Sequence, residues 1–171
     1  VNDIHKLLEA GADKVAINTG AVKNPKLIYD AARIFGSQCI VGEIHAKRSY
    51  GNNWEVRTES GRQKHNLDAL EWAKRLEELG AGEILLISVD NDGIKHGLDM
   101  ALIKKARKFL SVPITVGGGI SCIEDVNIVV KEKWANAVSI SNCLHFNTFS
   151  LRELKFRLNK KFPNIRNLSS D

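Results

Sequence analysis

No stretch of this 171-residue sequence approaches the roughly 20 consecutive apolar residues that a membrane-crossing helix needs. No signal peptide is visible either, so a cytoplasmic protein without membrane contact is expected. The first residue is Val1 rather than Met, which leaves room for an upstream segment. Cysteines are few: Cys39, Cys122 and Cys143 form an odd set without metal-ligand spacing. That pattern favours buried thiols in a reducing compartment; no metal and no cofactor are expected. The Gly-x-Ser-x-Gly string of a nucleophile elbow is also missing.

What is present is an ordinary globular composition, 43% hydrophobic and 26% charged, in a chain long enough for one domain with a real core. The net charge of +5 is spread along helix faces among glutamates. Only the stretch from Lys155 to Arg166 is dense in cations, and it reads as a solvated helix face and tail rather than a nucleic-acid footprint.

The chain is organised around Glu83-Ile-Leu-Leu-Ile-Ser-Val-Asp90-Asn-Asp92-Gly93-Ile-Lys95-His-Gly97. Its short apolar run reads as a strand buried on both faces, as in a parallel sheet covered by helices. The polar residues after it sit where α/β folds place ligands, beyond the carboxyl ends of the strands.

Helical and strand periodicities alternate along the rest. A first helix carries Ile4, Leu7 and Leu8 and stops at Gly11; a strand follows over 14–19. Asn24-Pro25 predicts an N-cap and first turn for a helix that ends at Gly36, and the next strand starts at Cys39. Residues 49–66 predict a small hairpin with a turn at Ser60-Gly61, placed as a substrate cover. A helix with Leu67, Leu70, Ala73, Leu76 and Leu79 leads to the central strand. Asp99 caps a helix, strand 113–116 runs into Gly117-Gly118-Gly119, and Ser121 with Glu124 predicts a capping box. Strand 137–140 ends at Ser141-Asn142; Ser150 caps a last helix that Pro163 ends.

The junction Gly11-Ala-Asp-Lys14-Val-Ala-Ile recurs as Gly80-Ala-Gly-Glu83-Ile-Leu-Leu and more faintly as Trp134-Ala-Asn-Ala-Val-Ser-Ile. Such a repeat fits the lower rim of a (βα) barrel. Five strands and six helices are counted, where an eight-stranded barrel takes about 250 residues. The expectation is one incomplete domain over 1–171, a (βα)8 TIM barrel entered at helix 3 and followed from strand 4 to helix 8.

Chemistry is expected at the strand ends. Gly118 and Gly119 free backbone amides for an anion, and Ser141-Asn142 follows the next strand, as in barrels that bind phosphate at their last two loops. Asn18-Thr19 occupies the matching end of the first strand. Asp90 and Asp92 suit general acid/base work. Glu43 and His45 share one face of their strand by the period-two rule.

Gly11-Ala-Asp-Lys-Val-Ala-Ile-Asn-Thr, Gly36-Ser-Gln, Ala46-Lys-Arg, Gly80-Ala-Gly-Glu-Ile-Leu-Leu, Asp90-x-Asp-Gly-x-Lys and Leu144-His-Phe together resemble the cyclase-subunit family of imidazole glycerol phosphate synthase. The resemblance runs in register from Val1 to about Leu158. It implies a barrel that takes ammonia from a glutaminase partner in a heterodimer. The substrate it implies is a phosphoribulosyl-formimino aminoimidazole carboxamide ribotide, converted to imidazole glycerol phosphate and the carboxamide ribotide. It places Asn18 and Thr19 near one phosphate, Gly118, Gly119, Ser141 and Asn142 at the other, and Asp90 and Asp92 among the active-site acids. It also implies that Lys14 and Glu83 gate the ammonia entrance and that Asp13 meets the glutaminase.

Two departures stand out. The family's strand-one catalytic aspartate has no counterpart here, and its strand-five string ending Asp-Ala-Lys-Arg reads His45-Ala46-Lys47-Arg48. Imidazole exchanges protons near neutral pH, so His45 joins the candidate catalytic residues. The departures also leave room for two other roles. One is an ammonia relay towards amidation of a surface-glycan sugar; the other is a non-catalytic scaffold that binds and activates a glutaminase.

Overall fold

The computed structural model describes residues 1–162 and Ile165. The stop expected at Pro163 and the end of the cationic stretch at Arg166 lie outside the described residues. Five parallel strands form the body of the sheet: β1 (Val15–Ile17), β2 (Ile40–Arg48), β5 (Glu83–Ser88), β6 (Ile114–Gly117) and β7 (Ala137–Val138). They stand side by side in chain order, β1-β2-β5-β6-β7. The antiparallel hairpin of β3 (Trp54–Thr58) and β4 (Gln63–Asp68) extends the upper half of β2, on the edge whose lower half pairs with β1.

Helices fill the crossovers. They are α1 (Asn2–Glu9), α2 (Thr19–Lys23), α3 (Lys26–Phe35), α4 (Ala69–Glu78), α5 (Met100–Phe109), α6 (Ile123–Glu132), α7 (Asn142–His145) and α8 (Leu151–Asn159). The longer ones form because apolar residues recur at helical spacing: Trp72, Ala73 and Leu76 in α4, Leu102, Ile103 and Ala106 in α5, Ile123, Val126 and Val129 in α6. These stripes meet the alternating buried positions of the strands, Ile44 and Ala46 in β2 and Ile84 and Leu86 in β5. Gly42 shows how close that contact is, since a Cβ there would lie 2.9 Å from Leu76 Cδ1.

Sequential parallel order, with no strand exchanged across the sheet, is the wall of a (βα)8 barrel rather than a doubly wound sheet. Among the described residues that wall is an open arc. Its inner face carries Glu43, His45, Glu83, Leu85, Ile87 and Thr115, all half-buried.

Several local expectations shift. Pro25, not Asn24, is the N-cap of α3, and no side chain caps it. Asp125 rather than Glu124 closes the start of α6: its carboxylate accepts from the Ser121 amide at 2.8 Å and the Cys122 amide at 3.2 Å. Leu67 belongs to β4, because Asp68 caps α4 through the Leu70 and Glu71 amides. Strand β7 stops at Val138, two residues short of Ile140. Asp99 and Ser150 cap α5 and α8 as expected.

Candidate functional site

The carboxyl ends of the parallel strands gather around a cavity of about 200 Å³. His45 enters it from β2, and Asp92, Gly93 and Lys95 from the loop after β5. Gly118 and Gly119 follow β6, and Ser141 and Asn142 follow β7. Six of the residues singled out from the sequence therefore share one space: His45, Asp92, Gly118, Gly119, Ser141 and Asn142.

His45 shares its face of β2 with Glu43, and its Nε2 lies 3.1 Å from Glu43 Oε1. Gly118 and Gly119 have φ of 84° and 99°, a region that L side chains rarely adopt. Each also faces backbone: a Cβ on Gly118 would lie 2.5 Å from the Ser88 carbonyl oxygen, and one on Gly119 2.3 Å from that of Gly97. The loop after β5 thus leans on this turn, and packing alone demands both glycines. Their amides find no backbone carbonyl among the described residues. The Ser141 hydroxyl, exposed at the rim, has no partner among them either.

Asp90 lies outside the cavity. Its Oδ2 accepts from the Arg48 amide at 2.6 Å, tying the end of β5 to the end of β2. Asn18 and Thr19 are also elsewhere, engaged with the hairpin: Asn18 Nδ2 donates to the Arg57 carbonyl at 3.3 Å, and Thr19 Oγ1 accepts from the Glu59 amide. At the opposite, strand-start end, Lys14 Nζ meets Glu83 Oε2 at 2.5 Å, and Thr115 Oγ1 donates to the other Glu83 oxygen at 2.6 Å. Burial pushes the Glu83 carboxyl up, but Lys14 and Thr115 outweigh it and hold the group below its ordinary value. Asp13 is exposed beside this pair.

Two features were not assigned from the sequence. Lys95 lines the cavity with a left-handed backbone (φ 55°), its Nζ 3.3 Å from Thr148 Oγ1 and 5.6 Å from the Phe146 ring centre. Its place in the string Asp-x-Asp-Gly-x-Lys was the available signal. Asp99 does more than cap α5: buried, it accepts from Arg48 at 3.0 Å and from Trp54 Nε1 at 2.8 Å, anchoring the hairpin. Among the described residues no group of three or more His, Cys, Asp or Glu is placed to hold a metal ion, and no helix is long and apolar enough to cross a membrane. Cys143 is buried, which pushes its thiol up, and its Sγ donates to the Ile120 carbonyl.

A family model described as "Histidine biosynthesis protein" matches residues 1–150. Imidazole glycerol phosphate synthase subunit HisF of Prochlorococcus marinus (strain MIT 9312) is 46% identical over 166 residues, covering 95% of this chain and 65% of that protein. The subunit of the same name from Hydrogenobaculum sp. (strain Y04AAS1) is 47% identical over 166 residues, 97% of this chain and 66% of that protein. The chain thus spans about 65% of the length of the curated relatives it matches.

Proposed function

The chain belongs to the histidine biosynthesis protein family, and on that premise we propose that it forms the larger part of the cyclase subunit of an imidazole glycerol phosphate synthase. The observation that carries the proposal is the meeting of His45, Asp92, Gly118, Gly119 and Ser141 in one cavity at the strand carboxyl ends. Proton-exchanging groups there face anion-binding ones, which is what cyclising a phosphorylated ribotide requires.

In this reading the Gly118 and Gly119 amides, the Ser141 hydroxyl, Asn142 and the Lys95 ammonium receive one phosphate. Asn18 and Thr19 meet the other across the mouth, exchanging hairpin contacts for substrate. His45 and Asp92 move protons as ammonia adds and the imidazole ring closes. Asp90 supports them by fixing the β2 and β5 ends together. Ammonia enters from the strand-start face, past Lys14 and Glu83, from a glutaminase that docks beside Asp13.

The test is ammonium-dependent consumption of the ribotide by the complete protein, followed by absorbance. Turnover is expected; His45→Ala should lower kcat by about 100-fold or more, as loss of a general acid or base does, and His45→Asp should retain activity. The histidine in place of the family's aspartate favours one second reading, the ammonia relay. Glutamine hydrolysis coupled to the partner, with no imidazole glycerol phosphate from the wild type, would overturn the cyclase assignment in its favour.

A further inference from the structure

We infer that Glu43 is a positioning residue for His45, holding the imidazole with its hydrogen on Nε2 and leaving bare Nδ1 as the cavity's proton acceptor. The inference rests on the assignment of His45 to proton transfer and names the nitrogen that performs it.

It starts from the register of β2. Gly42, Ile44 and Ala46 face the helices, so Glu43, His45 and Lys47 share the inner face. The rise of a strand brings alternate side chains to one another, and Nε2 of His45 lies 3.1 Å from Glu43 Oε1. A carboxylate can only accept, so the nitrogen that meets it carries the hydrogen, and in the neutral ring the other nitrogen is then bare. Nothing else among the described residues bonds the ring. His45 lines the cavity and Glu43 does not, so the carboxylate stands behind the imidazole and not in the substrate's place. Both side chains are largely shielded, at 22% and 26% exposure, and water competes less for the contact than at an open surface.

The surroundings leave Glu43 as His45's partner. Arg57 lies directly opposite His45 in the β2–β3 register, but its guanidinium is engaged by Glu55. Lys47 and Lys95 are cations, unable to accept from the ring. Asp92 lines the cavity with His45 without bonding it. An aspartate at position 45 would need no such orientation, since either of its oxygens serves; an imidazole has one productive nitrogen and needs it aimed. During turnover one proton passes from the ligand to Nδ1. The resulting imidazolium faces the Glu43 carboxylate, and the proton then leaves for the departing nitrogen, restoring the neutral ring.

The experiment is nitrogen NMR of the complete protein with labelled histidine, the His45 signals assigned by their loss in His45→Gln. At a pH about two units above the ordinary imidazole midpoint of ~6.5, the wild-type ring should show the Nε2–H form alone. Glu43→Ala should release a mixture of both forms, and Glu43→Gln, whose amide oxygen still accepts, should keep the Nε2–H form. With ammonium as nitrogen donor, Glu43→Ala should lower kcat at least about tenfold with KM nearly unchanged, and Glu43→Gln should fall between. An Nδ1–H ring in the wild type, or a spectrum or kcat untouched by Glu43→Ala, would overturn the inference. If the wild type turns nothing over, the cyclase assignment fails separately, and the tautomer spectrum still decides whether Glu43 positions the ring.

Discussion

At the level of single residues, Glu83 joins three strands at their starts. One oxygen takes the Lys14 ammonium, reaching across β2 from β1, and the other takes the Thr115 hydroxyl of β6. Burial opposes its ionisation, yet the two donors depress the carboxyl overall, so the charged form is the one the fold prefers. A depressed carboxylate contributes stability above its unfolded value and loses that contribution as pH falls through its folded value. Glu83→Gln keeps an acceptor for Thr115 and removes only the charge. Urea unfolding should find the variant about 0.5–1 kcal/mol less stable near neutral pH, a modest figure because Lys14 is half exposed. The deficit should shrink at pH below about 4, the ordinary carboxylate range. An equal deficit at both pH values would assign the loss to packing and not to charge. The pair also lies on the face where we place the ammonia entrance.

Much at this scale was legible. Period two alone put Glu43 beside His45, and the strand-end rule put Asp92, Gly118 and Ser141 in one place. The tie between Asp90 and the backbone amide of Arg48 was not legible, because the two are 42 positions apart and spacing carries no signal of such a contact. Asn18 and Thr19 were placed by the same strand-end rule, but their contacts with the hairpin, about 40 positions away, could not be read from position.

Among the elements, the β3–β4 hairpin depends most on a single side chain. Trp54 opens β3 buried at 1% exposure, with its indole N–H on Asp99 and the cations of Arg48 and Lys105 at 5.2 and 5.3 Å from its ring centre. Asp99 simultaneously caps α5 through the Leu102 amide. One carboxylate therefore fastens a hairpin, a helix start and the end of β2. Asp99→Ala removes a cap, at about 1 kcal/mol, and orphans a buried indole N–H, at about 1–3 kcal/mol. The melting temperature should fall by several degrees, and proteolysis should cut first between Ser49 and Asn53. Protection there equal to the wild type would mean that Trp54 is held by packing alone. The hairpin was foreseeable from its alternation and its Ser60-Gly61 turn. The short helices α2 and α7, of five and four residues, were not, since neither is long enough to display an apolar stripe. The capping box at α6 was misplaced by one residue because Ser121-x-x-Glu124 and Cys122-x-x-Asp125 overlap, and only the second has its carboxylate within reach of the helix-start amides.

For the molecule as a whole, order and closure are separate properties. Strand order and one-sided helix packing follow from local junctions, such as Gly80 at φ 104°, where a Cβ would lie 2.8 Å from that of Ala32. Closure needs about eight strands with consistent tilt, and the described sheet has five parallel ones. Strand β7 contributes only Ala137 and Val138 at one end of the arc, with Ala137 exposed. Beside it runs a groove between α6 and α8 lined by Val126, Val129, Val138, Leu158 and Phe162. Unpaired strand edges next to apolar surface drive association between chains. The 171-residue chain produced by itself should therefore scatter light as a species larger than its 19.0 kDa monomer mass, and should bind a hydrophobic dye. Replacing Val138 with lysine, which charges that edge, should shift the population towards monomer. A monodisperse 19.0 kDa species with a single cooperative melt would instead show that the open arc is self-sufficient. The groove and the β7 edge would then be ordinary surface, and the arc would be stable without closure.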